Sequence, residues 1–226
     1  MSQKPTKTNF MLVWCLGRET TPYKAAEKYY TTYDPNVKFN PKNTSPIGPF
    51  YNAEKELKKG NLLIEFPRKG REIPIKTNME TYLADFSPVK PYLAEFEKYA
   101  PKIVDKMVDR KLAIINGYEP LFYFLFTKML LWAEREANGK WITEMVMSIA
   151  IPNGKSEVLN CVTDFKNSLT NREVQELTLK VEKTEALINI FQTIIQKMPE
   201  QLMRQYMMLI LANPKLLKFR VVSNNK

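Results

Sequence analysis

The sequence predicts a predominantly helical α+β fold, in which a basic N-terminal third carries a β-hairpin and a helical bundle with one or two added strands follows. Three observations lead to this prediction. The 226 residues are 44% hydrophobic, which is enough to bury a core. Apolar residues alternate on both sides of a short turn at residues 67–71, as in a hairpin. From Ser87 onward, apolar residues recur mostly every three or four positions, as on one face of a helix.

The N-terminal third opens with a predicted strand at Thr8–Leu16, because this run is short, apolar and closed by Gly17. Tyr23–Tyr33 is predicted as a short helix with Pro22 at its first position. Asp34–Tyr51 contains four prolines and is predicted as a long extended loop. Such a loop either lies on the surface or forms an arm that wraps a neighbouring chain.

The hairpin is predicted from two short segments, Asn61–Phe66 and Glu72–Lys76, joined by the turn Pro-Arg-Lys-Gly-Arg. Every second residue of each segment is apolar, which is the period of a strand. Pro74 has no N–H group for a strand ladder, so the second strand is expected to be an edge.

A proline interrupts the helical pattern that begins at Ser87. Pro101 is expected to divide it into two helices, one ending near Tyr99 and the next running to about Lys111. Leu121–Ala133 is apolar nearly all round and contains only thirteen residues, too few to span a bilayer. We therefore predict a buried central helix there.

The longest helical pattern lies in the C-terminal part. Thr170 and Glu173 form a capping-box pattern, and apolar residues keep an alternating three–four spacing through 174–198. Intramolecular bundle packing is the favoured interpretation of this stripe, and a coiled-coil seam is the alternative. The other predicted elements are a strand at Trp141–Ile151, a helix at Val158–Leu169, a helix at Leu202–Leu211 and a last strand at Lys218–Val222.

Charge is distributed unevenly along the chain. The net charge of +10 divides into +7 for Met1–Lys76 (14 basic, 7 acidic), −1 for Thr77–Ile151 (9 and 10) and +4 for Pro152–Lys226 (11 and 7). We accordingly predict a basic, Pro- and aromatic-rich region at 1–76 and a helical region at 77–226, with a single domain as the alternative. A basic surface attracts phosphate-rich or other acidic partners.

Missing residue types exclude several kinds of enzyme. The chain has no histidine, which excludes Ser-His-Asp and Cys-His catalysis and zinc hydrolase sites with histidine ligands. The seven glycines are too far apart for a Gly-rich phosphate loop. Cys15 and Cys161 lie in apolar contexts and are predicted to be buried, inert thiols.

No catalytic site, metal or cofactor is expected, and neither is a membrane partner. The N-terminus lacks the apolar stretch of a secretion signal, so the expected location is cytoplasmic and intracellular, with a virion or the host cytoplasm as the more specific candidates.

The predicted function is non-enzymatic binding of single-stranded RNA or DNA with little sequence preference, RNA being the first expectation. A nucleocapsid-like, virus- or phage-encoded protein fits this description. Cations neutralise phosphates and aromatic rings stack on bases, and both kinds of residue interleave in the N-terminal third. The predicted contact residues are Arg18, Lys24, Lys28, Tyr29, Tyr30, Lys38, Lys58, Lys59, Arg68, Lys69, Arg71, Lys215, Lys218 and Arg220.

Two other functions are weighed against this one. A capsid, scaffold or adaptor subunit would self-associate through the 174–198 helix and the 34–51 arm, without nucleic acid. A magnesium-dependent nuclease would use Asp105 and Asp109, which lie four positions apart and so share a helix face. Several cations surround these two carboxylates in the sequence, which favours a solvated charged helix over a metal site.

Overall fold

The computed structural model describes residues 4–39, 46–84, 92–136 and 157–179. These residues form a predominantly helical α+β structure with one two-stranded antiparallel sheet, which confirms the predicted fold class. The helices are α1 (Lys7–Trp14), α2 (Pro22–Tyr33), α3 (Gly48–Lys59), α4 (Met79–Tyr82), α5 (Leu93–Asp109), α6 (Glu119–Glu136), α7 (Glu157–Asn167) and α8 (Asn171–Leu179). The strands are β1 (Leu63–Glu65) and β2 (Ile75–Thr77).

The first element is a helix, so the prediction of a strand at Thr8–Leu16 is wrong. The Thr6 hydroxyl caps α1 by accepting a hydrogen bond from the Asn9 N–H. Phe10, Met11 and Val13 are all fully buried, because α1 packs against α2, α3 and α5. A helix buried on every side carries a continuous apolar run, and such a run looks like a buried strand in the sequence.

The second helix confirms the prediction for Tyr23–Tyr33. Pro22 occupies the first turn of α2, where its missing N–H is not needed. The Thr21 hydroxyl accepts a hydrogen bond from the Lys24 N–H at 3.3 Å and so caps the helix.

The predicted loop at Asp34–Tyr51 is wrong at its C-terminal end, because α3 begins at Gly48. Phe50, Ala53 and Leu57 lie on one face of α3 and are buried. Pro49 lies in the first turn, where a proline is tolerated. The end of the predicted arm is therefore a helix packed on its own core.

The hairpin prediction is confirmed. β1 and β2 pair antiparallel, with Leu63 opposite Thr77 and Glu65 opposite Ile75. β2 is the last strand on its side of the sheet, as expected, but its outer backbone groups are hydrogen-bonded at one position. Thr20 forms an antiparallel bridge with Ile75, the two backbone hydrogen bonds measuring 2.9 and 2.7 Å.

The predicted break at Pro101 is wrong, because α5 runs through it as one helix of 17 residues. Proline cannot donate to the Glu97 carbonyl one turn earlier, and this normally weakens a helix. Here the segment after α1 packs on the affected turn. An Arg18 Nη2–H donates to the Pro101 carbonyl at 2.7 Å. A Cβ on Gly17 would lie 2.1 Å from the Glu97 carbonyl oxygen.

Two compact units make up the chain, at 1–124 and 125–226. The first unit extends past the charge-based boundary predicted between Lys76 and Thr77, since β2 runs across that position. Buried aromatic side chains dominate its core, and the Phe10 ring meets the rings of Tyr29 and Tyr33 edge-on at 5.2 and 5.8 Å.

In the second unit, the predicted helix at Val158–Leu169 is confirmed as α7. The predicted capping box starts α8, with the Thr170 N–H donating to the Glu173 carboxylate at 2.9 Å and the Glu173 N–H donating to the Thr170 hydroxyl. Lys128 on α6 is fully buried and donates to the Leu177 carbonyl at 2.7 Å.

The predicted helix at Leu121–Ala133 lies within α6, and each of its residues whose exposure is described is buried. None of the described helices combines the length and apolar character needed to cross a membrane. Four predictions lie outside the described residues, namely the strand at Trp141–Ile151, the helix pattern beyond Leu179, the helix at Leu202–Leu211 and the strand at Lys218–Val222.

Candidate nucleic-acid interface

Two predicted contact residues, Tyr29 and Tyr30, lie in the core. Their exposed fractions are 1% and 7%. Their hydroxyls donate to the carbonyls of Pro5 and Pro46 at 3.1 and 3.0 Å. A buried ring has no free face for a base, so these two tyrosines are removed from the set of stacking residues. The polar ends of the two side chains are satisfied inside the protein, which explains how they are buried.

Arg18 and Lys28 hold the N-terminal elements against α5. Arg18 pairs with Asp105 at 2.8 Å and lies over the Trp14 ring, 4.1 Å from its centroid. Lys28 pairs with Asp109 at 3.3 Å. The Arg18 Nε–H and the Trp14 Nε1–H are buried, with no acceptor among the described residues. Both cations therefore serve the fold first, and the two carboxylates considered for magnesium are already ion-paired.

Lys58 lies between two carboxylates. It pairs with Glu54 at 2.6 Å and also with Glu65 at the end of β1. Partial burial lowers the pKa of Lys58, but hydrogen bonds to Glu54 and Glu65 outweigh that effect and raise it. Lys58 therefore joins α3 to the hairpin and has little charge left for an external phosphate.

The hairpin tip is defined here as residues 67–73, and all of them are exposed. Lys69 pairs with Glu19 at 3.0 Å, but both side chains are strongly exposed, so this pair contributes little stability and is readily exchanged. Arg68 donates to the backbone carbonyl of Arg71 at 3.5 Å. The tip therefore presents three cations within four positions to solvent.

Four more exposed cations lie on α2, on the segment after it, and on α3. The sequence analysis identified Lys24, Lys38 and Lys59, and the structure leaves all three exposed. It missed Lys55, which lies one turn before Lys59 on the same face of α3. Tyr51 was missed as well, although 46% of it is exposed. The signal in the sequence was the helix-forming run Asn52–Lys59, which follows the proline-rich segment.

The tail residues predicted to contact nucleic acid are Lys215, Lys218 and Arg220, and they lie outside the described residues.

Acidic residues of the first unit are largely occupied. The described residues form seven ion pairs, which use seven carboxylates and six cations. The Glu119 carboxylate is buried and accepts backbone N–H groups of Ile115, Asn116 and Gly117. On α2, the segment after it, α3 and the hairpin tip, six exposed cations have no carboxylate partner among the described residues, and they are Lys24, Lys38, Lys55, Lys59, Arg68 and Arg71. We call these six residues the exposed basic set.

The chemistry available to this set is the binding of anions. No group of three carboxylate or thiol side chains suited to a metal ion occurs in the part of the chain that the structure describes. Cys15 and Cys161 are free and buried, which confirms their predicted burial, and burial raises the pKa of the Cys15 thiol. No protein-family model, no curated protein and no solved structure matches this chain.

Proposed function

We propose that this protein binds single-stranded nucleic acid without catalysing a reaction, and with little sequence preference. The observation that supports the proposal is the exposed basic set, which carries six positive charges on one unit with no carboxylate partner among the described residues. Binding a phosphate backbone releases its condensed counterions, and this gain does not depend on sequence.

A continuous polyanion suits this arrangement better than a folded acidic protein does. The six cations are spread over α2, the segment after it, α3 and the hairpin tip. Each phosphate of a flexible strand is equivalent, so the strand can follow scattered cations. A folded protein has to place its carboxylates at matching positions, which requires a defined shape on both sides.

The two other candidate functions receive no comparable support. The predicted assembly arm ends in α3, whose Phe50 is fully buried in its own core. The two aspartates of the nuclease hypothesis are held by Arg18 and Lys28.

Fluorescence anisotropy with labelled uridine and deoxythymidine oligonucleotides of about 16 nucleotides tests the proposal, because one compact binding fold commonly covers about 4–16 nucleotides. The variant Arg68→Glu/Arg71→Glu changes the charge at the hairpin tip. The matched control, Lys98→Glu/Lys102→Glu, makes the same charge change on exposed positions of α5. We expect the tip variant to bind at least about tenfold more weakly and the control to change by less than about threefold.

The absence of binding by the wild-type chain at about 50 mM salt, where backbone contacts are strong, would contradict this function. Equal weakening by the tip variant and the control would mean that net charge alone determines binding, and it would contradict the assignment of binding to the exposed basic set. Displacement of the oligonucleotide by an equal charge concentration of polyglutamate would instead indicate an acidic polypeptide as the partner.

A further inference from the structure

The outward face of α3 carries a row of three side chains, Tyr51, Lys55 and Lys59, at successive i+4 positions. All three are exposed, while Phe50, Ala53 and Leu57 turn the opposite face into the core. Residues four apart lie one above another on a helix, about 6 Å apart. The tyrosine ring and the two ammonium groups therefore line one stripe of the surface, which we call the α3 row.

Tyr51 differs from its neighbour Phe50 and from two tyrosines of α2. Tyr29, Tyr30 and Phe50 contact one another in the core. Tyr51 is 46% exposed, and its ring and hydroxyl have no partner among the described residues. Its removal from water contributes little to folding, so a role in the core does not account for an aromatic residue at this position.

We propose that the α3 row is a contact specific for single-stranded nucleic acid, in which one base stacks on the Tyr51 ring and the adjoining phosphates lie against Lys55 and Lys59. This inference rests on the proposed function and adds the residue that distinguishes a single strand from a duplex. A duplex keeps the faces of its bases stacked inside, so it offers phosphates to the lysines but no free base to the tyrosine.

A thermodynamic cycle tests this contact by removing the tyrosine ring from the protein and the base from the oligonucleotide, first separately and then together. The substitution is Tyr51→Ala, and the second probe is an abasic oligonucleotide of the same length as the deoxythymidine probe. We expect Tyr51→Ala to weaken binding of the deoxythymidine probe by about tenfold or more. On the abasic probe, and on a duplex of the same length, we expect a change of less than about twofold.

Two further variants control the cycle. Asn52→Ala changes the neighbouring exposed residue of α3 and is expected to bind like the wild type. Tyr51→Trp keeps a stacking ring and is expected to retain affinity, with its fluorescence quenched when the probe binds. Far-UV circular dichroism and the melting temperature of Tyr51→Ala are expected to match the wild type, because this side chain is exposed.

The outcomes separate this inference from the proposed function. If the wild type binds the probe and Tyr51→Ala weakens the base-bearing and abasic probes equally, the stacking contact is wrong and the proposed function stands. If Tyr51→Ala loses the same affinity for the single-stranded and the duplex probe, the stacking contact is also wrong. If the wild type binds neither probe at low salt, the proposed function fails and the contact fails with it.

Discussion

Gly17 lies where the chain leaves α1 and reaches α5, with a backbone φ of +66°. A Cβ atom there would lie 2.1 Å from the Glu97 carbonyl oxygen and 2.8 Å from the Pro101 ring. Both the left-handed backbone and the absence of space therefore require glycine at this position. Two other glycines make a comparison within the chain, because Gly70 has the same φ of +66° in open space and Gly48 has open space without a positive φ.

Substituting alanine at these three positions separates backbone strain from steric overlap. We expect Gly17→Ala to lower the free energy of unfolding by about 3 kcal/mol, since it combines strain with overlap. Gly70→Ala is expected to lose about 1 kcal/mol from strain alone. Gly48→Ala is expected to be neutral or to gain up to about 1 kcal/mol. Urea denaturation measures the free energy of unfolding of all three variants. Equal losses for Gly17→Ala and Gly70→Ala would show that α5 moves away from residue 17 and relieves the overlap.

Buried hydroxyl and thiol groups make folding sensitive to alkaline pH. Burial raises the pKa of Tyr82 well above its ordinary value of 10.0, and the negative charge of Glu119 adds to this effect. Burial likewise raises the pKa of Tyr33, and it raises that of Cys15 from 9.0 despite the opposing charge of Arg18. Each group stays protonated in the folded chain at a pH where it ionises in the unfolded chain.

The resulting pH dependence is a loss of stability on the alkaline side. A folded pKa above the unfolded one gives a contribution that is complete below the unfolded pKa and is lost as the pH rises through the folded pKa. We expect the urea midpoint to be constant up to about pH 9 and to fall continuously towards about pH 11. Tyr82→Phe is expected to make this fall shallower, because it removes one of the groups whose pKa burial raises. A midpoint that stays flat to about pH 11 would contradict the burial of these groups.

At the scale of single elements, α1 and α5 show how packing overrides a local pattern. The apolar run of α1 fits a strand or a helix, and its contacts with three other helices favour the helix. In α5, Pro101 frees a carbonyl in the middle of the helix, and the packing of Gly17 and the hydrogen bond from Arg18 stabilise that turn.

The loop before α6 is held by the first residue of that helix. The Glu119 carboxylate accepts the N–H groups of Ile115, Asn116 and Gly117 at 2.8, 3.1 and 2.9 Å. The Tyr82 hydroxyl donates to the Gly117 carbonyl at 2.6 Å. Glu119 thus satisfies three donors that water does not reach freely.

Replacing Glu119 by glutamine is expected to lower the free energy of unfolding by about 2 kcal/mol, because an amide group faces three N–H donors with one acceptor oxygen fewer. Hydrogen exchange of the Ile115, Asn116 and Gly117 amides is expected to accelerate in the same variant. The control Glu80→Gln, on an exposed position of α4, is expected to stay within about 0.5 kcal/mol of the wild type. Unchanged exchange at the three amides would show that the carboxylate does not hold the loop.

At the scale of the whole molecule, the distribution of ion pairs matters more for the binding of anions than the net charge of +10 does. Most carboxylates of the first unit are engaged by cations or backbone groups of the fold. The cations left over lie outside the core and are available to phosphates.

Salt dependence of binding measures how many of these cations act together. If all six members of the exposed basic set contact phosphates of a single strand, the logarithm of the affinity is expected to fall against the logarithm of salt concentration with a slope of about −4. Arg68→Glu/Arg71→Glu is expected to make the slope shallower by at least about 1.4. A wild-type slope near −1, from a titration between about 50 and 300 mM salt, would mean that most of the set makes no phosphate contact.

Local sequence alone determined several features of this protein. Pro22 and Thr170 mark helix starts, the alternating residues on both sides of Pro67–Arg71 mark a hairpin, and the absence of histidine excludes whole classes of catalysis. Each of these depends on backbone geometry over a few residues or on composition, so no distant contact is needed to predict it.

The tertiary structure alone decided which side chains remain available at the surface. Tyr29 and Tyr51 are both tyrosines among lysines in the sequence, yet one is buried and the other is exposed. Arg18 and Arg68 carry the same charge, but Arg18 pairs with Asp105, 87 positions away, whereas Arg68 has no carboxylate partner in the part of the chain that the structure describes. Burial and ion pairing depend on residues brought together from distant parts of the chain, so neither follows from the pattern around a single residue.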